Sequence, residues 1–290
     1  MLQTFSENQL SEKVYNIWNA GFGPDIESYT EWIFYPVLFD FPMAFIEVFA
    51  GITDSRDYIL LRHIVNYFIF LLSAFLFYKI LFQRLKDWRL SLIGTSFLIL
   101  SPRILSNSFF NSKDILFLSL FIIAIYFSYN FIKKINLSNT ILFSLFCALC
   151  SAQRIMGISI FLIVIFFFTL SLLSQYKENS KYIKFILLSV FFYFLFLMFF
   201  WPYLLLDPLN NFINIINIFF SGDSPGNSWY DPYILYQGAY LQSSNVPWHY
   251  LFVWISITTP ILYLFFFLLG FYQILFRFIK KFIKIKANKI

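Results

Sequence analysis

Four basic side chains lie at or near the ends of long apolar runs, where ionisable groups are costly and usually functional or paired. They are Arg62, Arg103, Lys113 and Arg154, called here the basic rim. Arginine offers a planar fork of donors for phosphate oxygens, and lysine offers a point charge. If the four converge, they suit an anion held at a membrane surface, and a phosphate carried on a lipid is the natural candidate. The alternative is that each side chain extends separately to its own interface.

Polar neighbours accompany Arg62. Asn66 and Ser73 follow it by four and eleven residues, so the three lie on one stripe of a helix, and we expect this stripe to face the interior of a bundle. His63 is adjacent and is interpreted as either a phosphate ligand or an ordinary interfacial residue.

A second polar cluster surrounds Arg103 and Lys113. Pro102 disfavours a helical conformation at Ser101, which predicts a break there. Asn111 precedes the Lys113–Asp114 pair as a further supporting residue. Asp114 opens the next apolar run, so it is interpreted either as a helix cap or as a partner of the site.

A carboxylate on the same side of the membrane would be needed as a general base for an acceptor hydroxyl. The sequence does not rank the acids near the N-terminus, which include Glu27, Glu31, Glu47, Asp54 and Asp57. Our first candidates are Glu7, Asp25 and Asp40. Among the aromatic residues, Trp201, Tyr203 and Trp248 are candidates for stacking on a sugar or an acceptor, and the alternative is an interfacial aromatic belt.

Composition identifies an integral membrane protein. Of the 290 residues, 60% are hydrophobic and 12% are charged, and the mean hydropathy is +0.72, whereas a soluble domain is about 25% charged. The net charge of +6 lies mainly in short loops and the tail, so it does not indicate nucleic-acid binding. Seven spans are predicted, at about Tyr58–Phe82, Leu90–Leu100, Ile115–Ile132, Thr140–Ala152, Ile155–Leu173, Tyr182–Tyr203 and Leu251–Phe276.

The charges predict the topology. The loops after the first, third and fifth spans and the tail, residues 277–290, hold most of the bases, so the positive-inside rule makes them cytoplasmic. Residues 1–57 then form an external N-terminal segment, residues 58–290 form the bundle, and residues 204–250 form one long external loop. We expect an all-α polytopic protein of the cell inner membrane, with its site facing the periplasm or exterior.

An external segment of this length usually needs a preceding span, so we expect a helix upstream of Met1. The alternative is a protein with an external N-terminus that translocates this segment unaided. Cys147 and Cys150 form a CxxC inside an apolar run and are interpreted as buried helix residues. The sequence shows no metal-ligand signature, which leaves metal dependence open. It also has no Walker loop, HExxH motif or GxSxG elbow.

Several short motifs, taken in order, resemble membrane glycosyltransferases of the GT-C fold, in the superfamily of protein O-mannosyltransferases and aminoarabinose transferases. They are Arg62-His63-Ile64-Val65-Asn66, Ser101-Pro102-Arg103, Asn111-Ser112-Lys113-Asp114, Gln153-Arg154-Ile155, Trp201-Pro202-Tyr203, Val246-Pro247-Trp248-His249-Tyr250 and Thr258-Thr259-Pro260.

The resemblance implies transfer of a sugar from a polyprenyl phosphate to a glycan, lipid or protein acceptor, with the basic rim at the lipid phosphate. In that family an acid just after the first transmembrane helix is the catalytic base. Because the sequence opens at Met1 without such a helix, we expect the chain as it stands to transfer sugar poorly or not at all, unless an acid within residues 1–57 takes the role of the base. The alternative function is a transporter or flippase for an anionic lipid-linked substrate.

Overall fold

Helices dominate the computed structural model, which describes residues 38–174, 179–201, 203–221, 233–242 and 245–287. The chain divides into two compact units, Met1–Gly226 and Asn227–Ile290. In the first unit the helices are α1 (Asp40–Phe49), α2 (Ser55–Leu85), α3 (Trp88–Ile99), α4 (Pro102–Phe110), α5 (Asp114–Lys133), α6 (Leu137–Gln153), α7 (Ile158–Ser174), α8 (Asn179–Phe200), α9 (Tyr203–Leu206) and α10 (Pro208–Ser221).

Four helices in the described residues are long and apolar enough to cross a membrane. They lie at Ser55–Leu85, Asp114–Lys133, Tyr182–Phe200 and Ile261–Lys280. Three further apolar helices are shorter, at Trp88–Ile99, Leu137–Gln153 and Ile155–Leu170. An all-α membrane protein is therefore supported, while the count of seven crossings stays a prediction. At about 1.5 Å per residue, α3 spans about 18 Å, which is short of a hydrocarbon core of about 30 Å.

Local sequence explains the sharp turns between the first helices. Lys86 ends α2 in the left-handed conformation, with φ of 57°, and the Asp87 side chain then accepts from the first backbone amides of α3. The predicted break at Ser101 is confirmed, because Ser101 is extended and Pro102 occupies the first turn of α4. Helix α4 itself was not predicted, and it positions Ser108 and Asn107 for the contacts described below.

The core of the first unit lies among α5, α6, α7 and α8. Aromatic rings stack through it in the order Phe131, Phe143, Phe161 and Tyr193. Small polar residues let helices approach closely and join them, as where the Ser144 hydroxyl on α6 donates to the Ser189 carbonyl on α8. The interior stripe predicted for α2 is confirmed, since Asn66 and Ser73 are buried.

Gly157 marks the tightest approach in this core. It ends a short 3₁₀ turn, Ile155–Gly157, that links α6 to α7. A Cβ atom at this position would lie 2.5 Å from the backbone carbonyl carbon of Cys150. Cys150 and Cys147 are both buried and free, which confirms their interpretation as buried helix residues.

The described residues of the second unit form a two-stranded hairpin and two helices. Strand β1 (Tyr233–Tyr236) pairs antiparallel with β2 (Ala239–Gln242). Gln237 and Gly238 both have positive φ, as a two-residue hairpin turn of this kind requires. This hairpin lies within the predicted loop 204–250, as does α10.

The prediction of one continuous seventh span at 251–276 is wrong. The segment forms two helices, α11 (Tyr250–Thr258) and α12 (Ile261–Ala287), because Thr259 adopts an extended conformation before Pro260.

Candidate functional site

Arg62 on α2 is held by two carboxylates of α1. Its Nε donates to Glu47 Oε1 at 2.7 Å, and its Nη1 donates to Asp40 Oδ1 at 2.6 Å. The guanidinium carbon also lies 4.3 Å from the centre of the Tyr58 ring, one helical turn earlier. Three neighbours therefore fix the orientation of this arginine.

Helix α1 delivers the two acids because of their spacing. Asp40 and Glu47 are seven residues apart, which places them on one face of a helix. Met43, Ala44 and Val48 are buried, and Met43 belongs to the hydrophobic core of the first unit. The two carboxylates differ in environment: the Asp40 side chain is 51% exposed and that of Glu47 only 2%. Glu47 is therefore a structural partner of Arg62, whereas Asp40 remains accessible to a ligand.

Asn66, one turn beyond Arg62, connects α2 to α4. Its Nδ2 donates to the Ser108 carbonyl oxygen at 2.9 Å, and the residue is 1% exposed. This contact fixes the amide orientation, so Oδ1 is a buried acceptor for which the described residues supply no partner. Asn107 is the residue directly before Ser108 on α4. Helix α4 therefore links the surroundings of Arg62 to the polar residues that precede α5.

Those polar residues form a chain of side-chain contacts. Asn111 Nδ2 donates to Asn107 Oδ1 at 3.1 Å and to Asp114 Oδ2 at 3.0 Å. Asn111 Oδ1 also accepts from the backbone amide of Asp114, the first residue of α5. Arg154, at the end of α6, forms an ion pair with the other Asp114 carboxylate oxygen. This series of side-chain contacts thus extends across α4, α5 and α6.

The other two members of the basic rim lie beside these contacts. Gln153 Nε2 donates to the Lys113 carbonyl oxygen at 3.1 Å, which joins α6 to the residue before α5. The Arg103 carbonyl oxygen accepts from Asn107 Nδ2 at 2.8 Å. Both basic side chains are exposed. His63 is partly exposed and follows Arg62 directly.

Side-chain contacts thus link Asp40 to Arg62, and Asn111 and Asp114 to Arg154, so these two arginines are paired with acids rather than open. The convergence of all four basic side chains on one cavity stays a prediction. Glu47 was one of the unranked acids and not a first candidate, and Gln153 was not predicted as a site residue. The spacing of Asp40 and Glu47 is a signal that would have identified α1 as a helix with an acidic face. No group of three potential metal ligands occurs within the described part of the chain.

The remaining predicted residues lie elsewhere. Glu7 and Asp25 are outside the described residues. Trp201 is 2% exposed and belongs to the core, so its ring offers no free face for a sugar. Tyr203 is partly buried, and its hydroxyl accepts from Asn214 Nδ2 at 3.1 Å. Trp248 is highly exposed and belongs to the second unit.

Three comparisons with known proteins found no relative. No family model, no curated protein and no solved structure matches this chain.

Proposed function

We propose that this chain is a membrane glycosyltransferase that takes its sugar from a polyprenyl-phosphate donor at the external face of the inner membrane. The observation that carries the proposal is the contact of Asp40 with Arg62. An exposed carboxylate and an arginine, whose guanidinium suits a phosphate, are in contact near the start of a helix long enough to cross a membrane. Transfer needs both groups, whereas an anion transporter needs only the second.

Arg62 is suited to exchange one partner for a phosphate. Glu47 is buried and holds Nε, while Asp40 is half exposed and holds Nη1. An incoming lipid phosphate competes with Asp40 for the outer part of the guanidinium, where a bidentate contact is favourable. Glu47 stays in place and keeps the arginine oriented. The exchange releases the Asp40 carboxylate beside the bound donor.

The released carboxylate then serves as the base. An acceptor hydroxyl oxygen attacks the anomeric carbon of the sugar and gives its proton to Asp40. The bond between that carbon and the phosphate oxygen breaks, and its electron pair leaves with the lipid phosphate. Arg62 stabilises the charge that develops on this oxygen, and the remaining basic rim adds to the positive field. A direct displacement of this kind inverts the anomeric configuration.

The test is turnover of a radiolabelled polyprenyl-phosphate sugar by the chain in proteoliposomes. We expect Asp40→Asn to lower turnover about 10²–10⁴-fold, the usual range for general-base catalysis, while donor binding is kept. Arg62→Gln should weaken donor binding. Arg56→Gln is the matched control, because Arg56 is an exposed arginine in the first turn of the same helix.

Two outcomes would contradict the proposal. Equal turnover by Asp40→Asn and the unchanged chain would exclude Asp40 as the base. Movement of the intact lipid-linked sugar across the bilayer, with no sugar transferred, would identify a transporter.

A further inference from the structure

Helix α10 follows directly from the end of a membrane-crossing candidate. The span Tyr182–Phe200 ends eight residues before Pro208, and the short helix α9 occupies most of the interval. Asp207 ends the connection and accepts from the backbone amide of Asn210, while Pro208 fills the first position of α10. A helix that begins so soon after a span starts near the boundary between membrane and water.

One face of α10 is fixed to the protein. Ile215 is buried, and Phe212 packs against the core beside it. Asn211 Nδ2 donates to the Tyr203 carbonyl oxygen at 2.7 Å, and Asn214 Nδ2 contacts the Tyr203 hydroxyl. These contacts set the rotation of α10 about its own axis.

The two remaining faces differ in polarity. Leu209 and Ile213, four residues apart and so on one side of the helix, are 77% and 53% exposed. Leu206 extends the same kind of exposed apolar surface onto α9. Asn210, Asn214 and Asn217 are also exposed, and their spacing of four and three residues places them on another side. The helix therefore has a core face, an apolar face and a polar face.

We infer that α10 lies in the membrane–water interface, with Leu209 and Ile213 in the acyl-chain boundary of the bilayer and the asparagine face toward water. A helix with segregated apolar and polar faces takes this position. Residues 203–221 contain one acid, Asp207, and no base. The partner is therefore the hydrocarbon boundary of the lipid, and the contact does not depend on anionic headgroups. The inference is independent of the proposed glycosyl transfer.

Site-directed spin labelling in lipid vesicles tests this arrangement. Single cysteines replace Leu209, Ile213, Asn210 and Asn217 in the full chain carrying Cys147→Ser and Cys150→Ser, so that only the introduced thiol is labelled. Molecular oxygen concentrates in the bilayer, and a nickel chelate concentrates in water. We expect collisions with oxygen to dominate at Leu209 and Ile213 and collisions with nickel to dominate at Asn210 and Asn217. The pattern should be the same in neutral vesicles and in vesicles with added anionic lipid.

A label at Ile215, on the core face, is the matched control and should be protected from both reagents. If the label at Ile215 disturbs folding, a label at Leu206 gives a further apolar position, which we also expect to lie in the lipid. Nickel exposure at Leu209 and Ile213 equal to that at the asparagines would place α10 in water. Protection of those two positions from both reagents would mean that protein covers them. Either result would overturn the inference.

Discussion

Replacing Glu47 with glutamine is expected to destabilise the chain much more than replacing Asp40 with asparagine, although both acids contact Arg62. The Glu47 side chain is 2% exposed, so its charge has little access to water once the pair is formed. Removing one partner of a buried ion pair costs about 3–5 kcal/mol. Because Arg62 is partly exposed and keeps Asp40, we expect a lower value, about 2–3 kcal/mol. Asp40 is half exposed, and a pair of that kind contributes about 0–1 kcal/mol.

The assay is the free energy of unfolding in mixed micelles, measured as the fraction of a denaturing detergent rises. Asp57→Asn is the control, because Asp57 is an exposed acid in the first turn of the same helix as Arg62. Its substitution should cost at most about 1 kcal/mol through the helix dipole. If Glu47→Gln and Asp40→Asn proved equally destabilising, the division into a buried anchor and an exchangeable partner would be refuted.

Three further predictions concern packing. Gly157→Ala should destabilise the chain by about 1–3 kcal/mol in the same unfolding assay, because the added Cβ meets the backbone of Cys150; Gly270→Ala, where the space is open, should not, and equal losses would contradict this. Asn66→Ala should cost about 1–3 kcal/mol by leaving the Ser108 carbonyl oxygen without its partner. The control is Ser96→Ala, because Ser96 is partly exposed and its hydroxyl donates only within its own helix. The buried thiols of Cys147 and Cys150 should resist maleimide until the chain is denatured, and rapid labelling of the folded chain would contradict their burial.

Helix locations were predictable because apolar runs of this length have few alternatives in a membrane. The Ser101 break followed from Pro102 alone. The split of the last span at Pro260 follows from the same rule, yet the hydropathy of the flanking residues masked it. Helix α10 was missed because its apolar residues are interrupted by asparagines, a pattern typical of a surface helix and weak in a search for spans.

The site was predictable only in part. Arg62, Lys113 and Arg154 were predicted as site residues because they are basic residues at or near the ends of apolar runs. Sequence spacing gives no information on which acid meets which base across distant segments, and residues 40 and 62 come together only through the packing of α1. The pairing of Arg154 with Asp114, forty residues apart, is of the same kind.

Equilibrium binding of radiolabelled polyprenyl phosphate to the purified chain tests whether the basic rim holds the phosphate of a lipid carrier. Charge-assisted hydrogen bonds of arginine to phosphate contribute about 1.5–3 kcal/mol each, or about 10–150-fold in affinity. We predict saturable binding, losses of this size in Arg62→Gln and Arg154→Gln, and unchanged affinity in Arg56→Gln. Absence of saturable binding, or equal affinity in all four chains, would contradict it.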